Sequence, residues 1–250
     1  MADFESLVSI VTGATSGIGK ATAKLLAQKG SKVVVAGRRE AEGQAVVDDI
    51  KANGGEAVFV KTDVTSESDV QNLVARTLET YGRVDVAFLN SGVFRFNAIG
   101  KQLADDLAEQ IDVNIKGVYY GLKHVANAMG DKGGSIVFNS STVDAVGFPG
   151  ASAYSLTKGA VNTLTRTAAV ELADKGIRVN SVAPGPIWTE GAGDLFGDRE
   201  TAETNFKTNI PLGRIGEPNE IAEVVAFLAG PASSFVTGQV IYADGGLGIK

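Results

Sequence analysis

Short apolar runs alternate with longer helical patterns along almost the whole chain, and this alternation limits the possible folds more than any other sequence feature. The predicted strands cover residues 7–12, 32–36, 57–61, 84–89, 135–139 and 177–182, and the predicted helices cover 40–53, 67–80, 103–129 and 152–174. Another helix follows the first strand, and a last strand lies near the C-terminus. Strands that each lead into a helix form right-handed βαβ units and a parallel sheet with both faces covered. The pattern predicts a Rossmann-type, doubly wound α/β fold with about seven strands.

Composition and charge narrow the class of protein. With 44% hydrophobic and 21% charged residues and no linker-like segment, residues 1–250 are expected to form a single domain. The net charge of −6 argues against nucleic acid as a partner, and no uncharged run reaches transmembrane length, so no membrane partner is expected. The lack of cysteine and of a signal-peptide pattern suits a cytoplasmic location. No metal site is predicted.

A glycine-rich segment follows the first predicted strand and precedes a helical pattern. Backbone N–H groups in this context bind pyrophosphate at the helix N-terminus. The spacing is Gly-x-x-x-Gly-x-Gly rather than Gly-x-Gly-x-x-Gly, and a tight turn with close helix packing is the alternative interpretation. The candidate cofactor residues of this segment are Gly13, Thr15, Ser16, Gly17, Ile18 and Gly19.

The end of the second strand is expected to select the cofactor. Gly37 offers no carboxylate to a ribose 2′-OH, and Arg38 and Arg39 follow it. Guanidinium groups bind phosphate bidentately, so the pair favours NADP (NADPH), with NAD as the second choice. We expect Arg38 to make the main contact, because it directly follows the strand end, and Arg39 to point to solvent. The alternative is a solvated arginine pair that opens the next helix.

Three side chains near the fifth strand form a candidate catalytic set. Ser141 follows strand 135–139, and Tyr154 and Lys158 are four residues apart on one face of the next helix. A hydroxyl, a phenol and an ammonium that meet in one cleft can move a proton on or off an oxygen atom. An ammonium about 5 Å from the phenol would lower its pKa by about two units at an effective dielectric near 20. We therefore expect Lys158 to lower the pKa of Tyr154.

The same Tyr-x-x-x-Lys spacing occurs a second time, at Tyr119 and Lys123. The residue thirteen positions before Tyr119 is Asp106, whereas Ser141 stands thirteen positions before Tyr154. The second pair also lacks a preceding strand and loop. It is interpreted as ordinary helix surface.

Polar residues follow several other predicted strands. Asp63, Asn90 and Ser140 lie just after strand ends, and Pro184 opens the loop after strand 177–182. Ligands of open α/β sheets bind at the carboxyl edge of the strands. These residues are therefore expected along one rim.

Together these motifs make the chain resemble the short-chain dehydrogenase/reductase (SDR) family over essentially its whole length. The matching segments are Thr12–Gly19, Asp63-Val64, Asn90-Ser91-Gly92, Asn114-x-x-Gly, Ser141 with Tyr154-x-x-x-Lys158, 180–189, 211–218 and 238–246. Ser91 stands where the family usually has alanine. The resemblance implies hydride transfer between a nicotinamide cofactor and a carbonyl compound or secondary alcohol.

The resemblance also assigns roles to residues. Ser141, Tyr154, Lys158 and Asn114 would be catalytic, with Lys158 also binding the nicotinamide ribose and Asn114 holding a water that relays protons. The further implied cofactor contacts are Asp63, Val64, Asn90, Ser91, Gly92, Tyr154, Lys158, Pro184, Gly185, Ile187 and Thr189. Helices 103–129 and 152–174 and the C-terminal strand resemble the surfaces through which the family forms symmetric homotetramers.

Residues 188–210 combine glycines and aspartates with aromatic side chains, which predicts a mobile lid over the substrate. The predicted apolar wall consists of Phe94, Val143, Phe148, Trp188 and Phe196. Such a pocket suits a hydrophobic ketone, aldehyde or secondary alcohol. The alternatives are an NAD-dependent alcohol or hydroxysteroid-type dehydrogenase, and a non-catalytic cofactor-sensing protein. An acyl-carrier-protein ketoacyl reductase would need a basic docking surface, and the net acidity argues mildly against it.

Overall fold

Seven parallel strands form one sheet in the computed structural model, which describes residues 4–193 and 197–249. The strands are β1 (Val8–Thr12), β2 (Lys32–Gly37), β3 (Glu56–Lys61), β4 (Val86–Leu89), β5 (Gly134–Asn139), β6 (Ile177–Pro184) and β7 (Val240–Ala243). Their order is β3-β2-β1-β4-β5-β6-β7, and every neighbouring pair is parallel. The predicted doubly wound α/β fold is confirmed.

The helices connect successive strands and cover both faces of the sheet. They are α1 (Gly17–Gln28), α2 (Glu40–Ala52), α3 (Glu67–Tyr81), α4 (Ala104–Ile111), α5 (Gly117–Met129), α6 (Ser152–Glu171), α7 (Arg199–Phe206) and α8 (Pro218–Ala229). The strand order reverses between β1 and β4, because β2 and β3 lie on one side of β1 and the later strands on the other. A crevice opens at such a reversal, outside the carboxyl ends of the strands.

Two hydrophobic clusters form the core, one on each face of the sheet. Val33 and Val35 pack with residues of α1, α2 and α8, whereas Ile10 and Val34 pack with residues of α3, α5 and α6. Alternate residues of a strand point to opposite faces, so a strand covered on both sides needs an apolar residue at nearly every position. This requirement explains the continuous apolar runs in the sequence.

The predicted helix 103–129 is not one regular helix. A π-helical turn, Asp112–Lys116, separates α4 from α5. A π turn inserts one extra residue, which shifts the apolar spacing only locally, so the sequence pattern did not reveal it. The predicted helix 152–174 ends at Glu171, and a short 3₁₀ turn, Ala173–Lys175, follows it. Asn114, a predicted site residue, lies within the π turn.

A small third cluster lies beside the carboxyl edge. Ala202 and Phe206 of α7 pack with Ile210 and Ile215, and Trp188 packs against this cluster. The segment predicted as a lid thus contains a helix with its own apolar contacts; its mobility stays a prediction. Within the two described ranges, no helix is both long and apolar enough to cross a membrane.

Candidate active site

One cavity of about 510 Å³ extends along the carboxyl edge of the sheet. Its volume is typical of a small-molecule site. Gly13 follows β1, Asn90 follows β4 and Ser140 follows β5, so the strand reversal lies at its centre. The predicted site residues that line it are Gly13, Thr15, Ser16, Gly17, Ile18, Arg38, Arg39, Asp63, Val64, Asn90, Ser91, Gly92, Ser141, Tyr154, Lys158, Pro184, Gly185, Ile187 and Thr189.

The glycine turn leaves the start of α1 close to the cavity. Gly13 and Gly17 have φ values of +62° and +53°, which glycine adopts with least strain. A Cβ on Gly19 would lie 2.3 Å from the carbonyl oxygen of Gly13, so this glycine allows close packing rather than lining the cavity. The Ser16 side chain makes no capping hydrogen bond with α1. A tight glycine turn that leads into a helix N-terminus is the arrangement that binds pyrophosphate, and here the Gly17 N–H at this terminus donates to the Glu190 carboxylate over 2.7 Å.

Asparagine side chains connect the ends of three adjacent strands. Asn90 donates hydrogen bonds to the carbonyl oxygens of Thr12 (3.0 Å) and Gly13 (3.2 Å). Asn139 at the end of β5 donates to Asn90 Oδ1 over 2.9 Å. Asn139 also lines the cavity and was not predicted as a site residue, although its place at a strand end beside Ser140 and Ser141 was a usable signal.

Arg39 is exposed, but its guanidinium lies across the glycine turn, so the prediction that it points to solvent holds only in part. Its Nη2 donates to Thr15 Oγ1 over 2.7 Å and to Ser16 Oγ over 2.6 Å. Arg39 is the N-cap residue of α2, where an extended backbone directs its side chain back toward the loop after β1. Arg38 also lines the cavity. Both guanidinium groups are therefore at the cavity.

Lys158 is buried, with 2% of its surface exposed, and its ammonium donates to the main-chain oxygen of Asn139 over 2.7 Å. The Nζ atom lies 5.4 Å from the centre of the Tyr154 ring. Burial lowers the pKa of Lys158 to about 8. The lysine remains mainly protonated at neutral pH but close to its titration range.

Burial raises the pKa of Tyr154 to about 12, opposed only by its contact with the Ser141 hydroxyl. The prediction that Lys158 would lower the pKa of Tyr154 is therefore wrong, because the net shift of this pKa is upward. The physical reason is that desolvation of the phenolate outweighs the attraction of an ammonium whose nearest hydrogen-bond partner is Asn139. At neutral pH the phenol is a proton donor.

Asn114 does not line the cavity but supports its floor. Its Nδ2 donates to the Val93 carbonyl oxygen (2.8 Å) and to Thr157 Oγ1 (3.1 Å), and its Oδ1 accepts from Val93 N–H (2.8 Å). A Cβ on Gly92 would lie 3.4 Å from Asn114 Oδ1 and 3.6 Å from Lys158 Nζ. The missing side chain leaves a space that both polar atoms reach.

The predicted apolar wall is partly reproduced. Phe94, Val143 and Phe148 line the cavity, whereas Trp188 does not. Its neighbours Ile187 and Thr189 line the cavity, whereas Trp188 packs against the small third cluster beside the carboxyl edge. Phe196 lies outside the described residues.

Besides Asn139, further cavity and rim residues were not predicted as site residues, among them three side chains that bear on the chemistry. Phe96 and Phe206 line the cavity, and Phe96 stands two residues after Phe94, a spacing that places both on one side of an extended segment. Glu190 accepts hydrogen bonds from Gly17 N–H (2.7 Å) and Lys20 Nζ (3.0 Å) and so ties the segment after β6 to α1. No sequence pattern pointed to Glu190. In the described ranges, no group of three acidic or histidine side chains is arranged to hold a metal ion.

The buried ammonium predicts a pH-dependent stability difference between the wild type and Lys158→Met. The folded-state pKa of about 8 lies below 10.5, so burying the charge costs about 3 kcal/mol at pH 7. This cost disappears as the pH rises from the folded-state pKa toward the unfolded-state pKa, because the charge is lost. The wild type carries this cost at pH 7 but largely not at pH 10, whereas Lys158→Met carries it at neither pH. The free energy of unfolding of the variant minus that of the wild type should therefore be about 2 kcal/mol larger at pH 7 than at pH 10. Urea denaturation at both pH values measures this, and a constant difference would contradict it.

Comparison with known proteins places the chain in a family. A family model described as enoyl-(acyl carrier protein) reductase matches residues 13–248. A 3-oxoacyl-[acyl-carrier-protein] reductase of Synechocystis is 40% identical, with 96% of each chain covered. Cyclohexanol dehydrogenase of Acinetobacter is 40% identical, with 97% of this chain and 95% of that protein covered.

The solved structures agree. The crystal structure of a short-chain type dehydrogenase/reductase from Mycobacterium marinum is 34% identical and has a TM-score of 0.94, with 100% of this chain and 98% of that chain covered. Both the sequence matches and the structural match extend over nearly the whole chain. This protein is a member of the short-chain dehydrogenase/reductase family of oxidoreductases.

Proposed function

We propose that the protein is an NADP(H)-dependent carbonyl reductase or alcohol dehydrogenase that acts on a hydrophobic ketone, aldehyde or secondary alcohol. The observation that carries this proposal is the position of Tyr154, Lys158 and Ser141 in one cavity with the glycine turn. The Tyr154 phenol is neutral at pH 7 and so carries the proton that a carbonyl oxygen needs as hydride arrives.

Each side chain has a separate task in this mechanism. Tyr154 gives its proton to the substrate oxygen, and Ser141 donates a hydrogen bond that orients this oxygen and stabilises the charge developing on it. Lys158 holds the nicotinamide ribose and returns a proton to Tyr154. A bound nicotinamide cofactor supplies the hydride, while the protein supplies orientation and electrostatics.

Asn114 supports proton supply to Lys158. A water in the space beside Gly92 would contact Asn114 Oδ1 and Lys158 Nζ, since both atoms lie within 3.6 Å of the position a Cβ would take there. Asn114 holds its Oδ1 in place through its two bonds to Val93. It is proposed as the residue that positions the relay water.

The enzymatic assignment is tested with Tyr154→Phe and a matched control. Tyr154→Phe should keep cofactor affinity but retain less than about a tenth of the wild-type kcat, because general acid catalysis contributes 10²–10⁴-fold. Tyr119→Phe removes the hydroxyl of a tyrosine that is 54% exposed and has a lysine four residues later, and should change kcat little. Turnover is followed at about 340 nm on a ketone and alcohol panel, the wavelength at which reduced nicotinamide absorbs. Near-normal kcat in Tyr154→Phe would remove this residue from the mechanism.

The preference for NADPH rests on charge and on space at the end of β2. Arg39 and Arg38 place two guanidinium groups at the cavity, and Arg39 also holds the hydroxyls of Thr15 and Ser16 beside them. A Cβ on Gly37 would lie 2.8 Å from Thr15 Cγ2. A side chain at this position would have to displace the Thr15 methyl, and Gly37 offers no carboxylate to a ribose 2′-OH, which supports phosphate as the intended ligand.

Removing the two guanidinium groups should abolish the preference. One charge-assisted contact with phosphate corresponds to about a 10- to 150-fold preference, so Arg38→Ala with Arg39→Ala should lower kcat/KM for NADPH by at least that factor and change that for NADH little. The single variants show which arginine dominates. Arg76→Ala, which removes an exposed guanidinium on α3 paired with Glu79, is the control. If the wild-type kcat/KM for NADH equals or exceeds that for NADPH, the arginine pair is only surface charge and the proposed preference is wrong.

A second candidate substrate class is a 3-oxoacyl group on acyl carrier protein. A relative of 40% identity bears that activity in its name, which favours it. The net charge of −6 opposes docking of an acidic carrier. Turnover of acetoacetyl-CoA above that of hydrophobic ketones would support this candidate.

Assembly as a homotetramer is proposed from exposed apolar side chains on the surfaces that the family resemblance indicates. Leu156 and Val170 of α6 are 59% and 80% exposed, and Phe235 and Ile249 near the C-terminus are 103% and 90% exposed. Closed symmetry would bury them. Light scattering at micromolar concentration should give the mass of a tetramer, and a persistent monomer would overturn this proposal.

Residues 188–210 are further proposed to close over bound substrate, since α7 brings Phe206 to the cavity.

A further inference from the structure

Four phenylalanines line the cavity at the end where Tyr154 lies and are called the phenylalanine cluster: Phe94, Phe96, Phe148 and Phe206. The ring centres of Phe94 and Phe96 lie 6.1 and 6.0 Å from that of Tyr154. Phe148 lies 5.7 Å from Phe96 and 6.3 Å from Phe206. These separations connect all five rings in one continuous wall that begins at the proposed proton donor.

Two of these rings leave a large surface open. Phe94 is 39% exposed and Phe148 is 37% exposed, although both line the cavity. Apolar surface exposed inside a cavity, rather than on a convex face, gains free energy when an apolar ligand covers it. The cluster therefore has the character of a binding wall and not of a closed core.

Apart from Lys158, the charged side chains nearest the phenylalanine cluster do not face its part of the cavity. Arg95, between Phe94 and Phe96, does not line the cavity and pairs with Glu109 over 2.9 Å. Arg38, Arg39 and Asp63 line the cavity beside β2 and β3, at the other end. Among the described residues, Lys158 is thus the one charge that lines the cavity beside Tyr154. Apart from Lys158, which is assigned to the nicotinamide ribose, no described cation lines this end of the cavity to pair with a substrate carboxylate or phosphate.

We propose that the phenylalanine cluster is a subsite for an uncharged aromatic ketone, whose aromatic ring lies against Phe96 and Phe148 while its carbonyl oxygen faces Tyr154. Aromatic rings prefer offset or edge contacts at centre separations of about 4.5–7 Å, and the tilted rings here offer both faces and edges. Such contacts add to area burial, so an aromatic ring gains more here than a saturated ring of the same size. A flexible acyl chain gains no such contact and loses conformational entropy on ordering.

This inference rests on the proposed function and names its substrate class. The step adds hydride, supplied by the reduced nicotinamide, to the carbonyl carbon, and a proton from Tyr154 to the oxygen. The C=O π bond becomes a C–H and an O–H bond, so the ketone is reduced to a secondary alcohol and the nicotinamide is oxidised. The reverse reaction oxidises the aryl carbinol.

The test compares acetophenone with cyclohexyl methyl ketone, which have the same carbon skeleton but an aromatic and a saturated ring. The ratio of their kcat/KM values is measured with NADPH in the wild type and in Phe96→Leu. Dividing the two ratios cancels the intrinsic reactivity of each ketone. One lost aromatic contact should lower the ratio about 2- to 12-fold in the variant.

Two further variants complete the design. Phe227→Leu removes a ring that is 46% exposed on α8 and does not line the cavity, so its ratio should equal that of the wild type. Phe148→Leu repeats the test at a second, more exposed ring of the same wall, and it replaces Phe96→Leu if that variant does not fold. A ratio unchanged in both wall variants overturns the aromatic subsite, even if the enzyme reduces other ketones.

A comparison of a charged with an uncharged aromatic ketone tests the inference independently. In the wild type, 4-acetylbenzoate should have a kcat/KM at least about tenfold below that of 4′-methylacetophenone, because its carboxylate would lose hydration against the apolar wall. Equal values would overturn the inference. Absence of turnover with every ketone and alcohol overturns the proposed function and this inference together, whereas turnover with an unchanged aromatic ratio overturns only the inference.

Discussion

Burying the Lys158 ammonium costs free energy, and the hydrogen bonds along the carboxyl edge of the sheet offset part of that cost. The ammonium donates to the main-chain oxygen of Asn139 at the end of β5, Asn139 donates to Asn90 after β4, and Asn90 donates to Gly13 after β1. A continuous series of hydrogen bonds therefore runs from the glycine turn to the ammonium across three adjacent strands. Because connected hydrogen bonds in a partly buried series polarise one another, each bond from the glycine turn to the ammonium strengthens its neighbours.

The two ends of the cavity differ in polarity, and the apolar end shifts the pKa values of Tyr154 and Lys158. Arg38, Arg39 and Asp63 make one end charged, whereas phenylalanine rings line the other end, where Tyr154 lies. In such surroundings desolvation dominates, so the pKa of the phenol rises and that of the ammonium falls. The same apolar surroundings that shape the proposed substrate site thus shift both pKa values, and the tyrosine, neutral at physiological pH even at its ordinary pKa, becomes still harder to ionise.

Residues at strand ends were predicted well, because parallel topology alone brings them to one rim. Ser141, Asn90 and Gly13 needed no knowledge of side-chain direction to be placed there. The errors concern side-chain direction: Trp188 packs against the small third cluster although its two neighbours line the cavity, and Arg39, though exposed, turns back over the glycine turn. Phe96 was missed although Phe94, two residues earlier, was predicted, and the period of an extended segment pairs the two.

The sequence by itself determined the fold class and the meeting of the strand ends along one rim, since apolar periodicity encodes the alternation of strands and helices. The spacing of Ser141, Tyr154 and Lys158 indicated three members of the proposed catalytic set, and the family resemblance alone indicated Asn114. The tertiary structure decided the electrostatics. Burial, which no spacing reports, moved the pKa values of Tyr154 and Lys158, and the π turn that holds Asn114 against Val93 left no trace in the hydrophobic pattern. A pKa and a ring-to-ring contact depend on groups distant in sequence, so they exist only once the chain has packed.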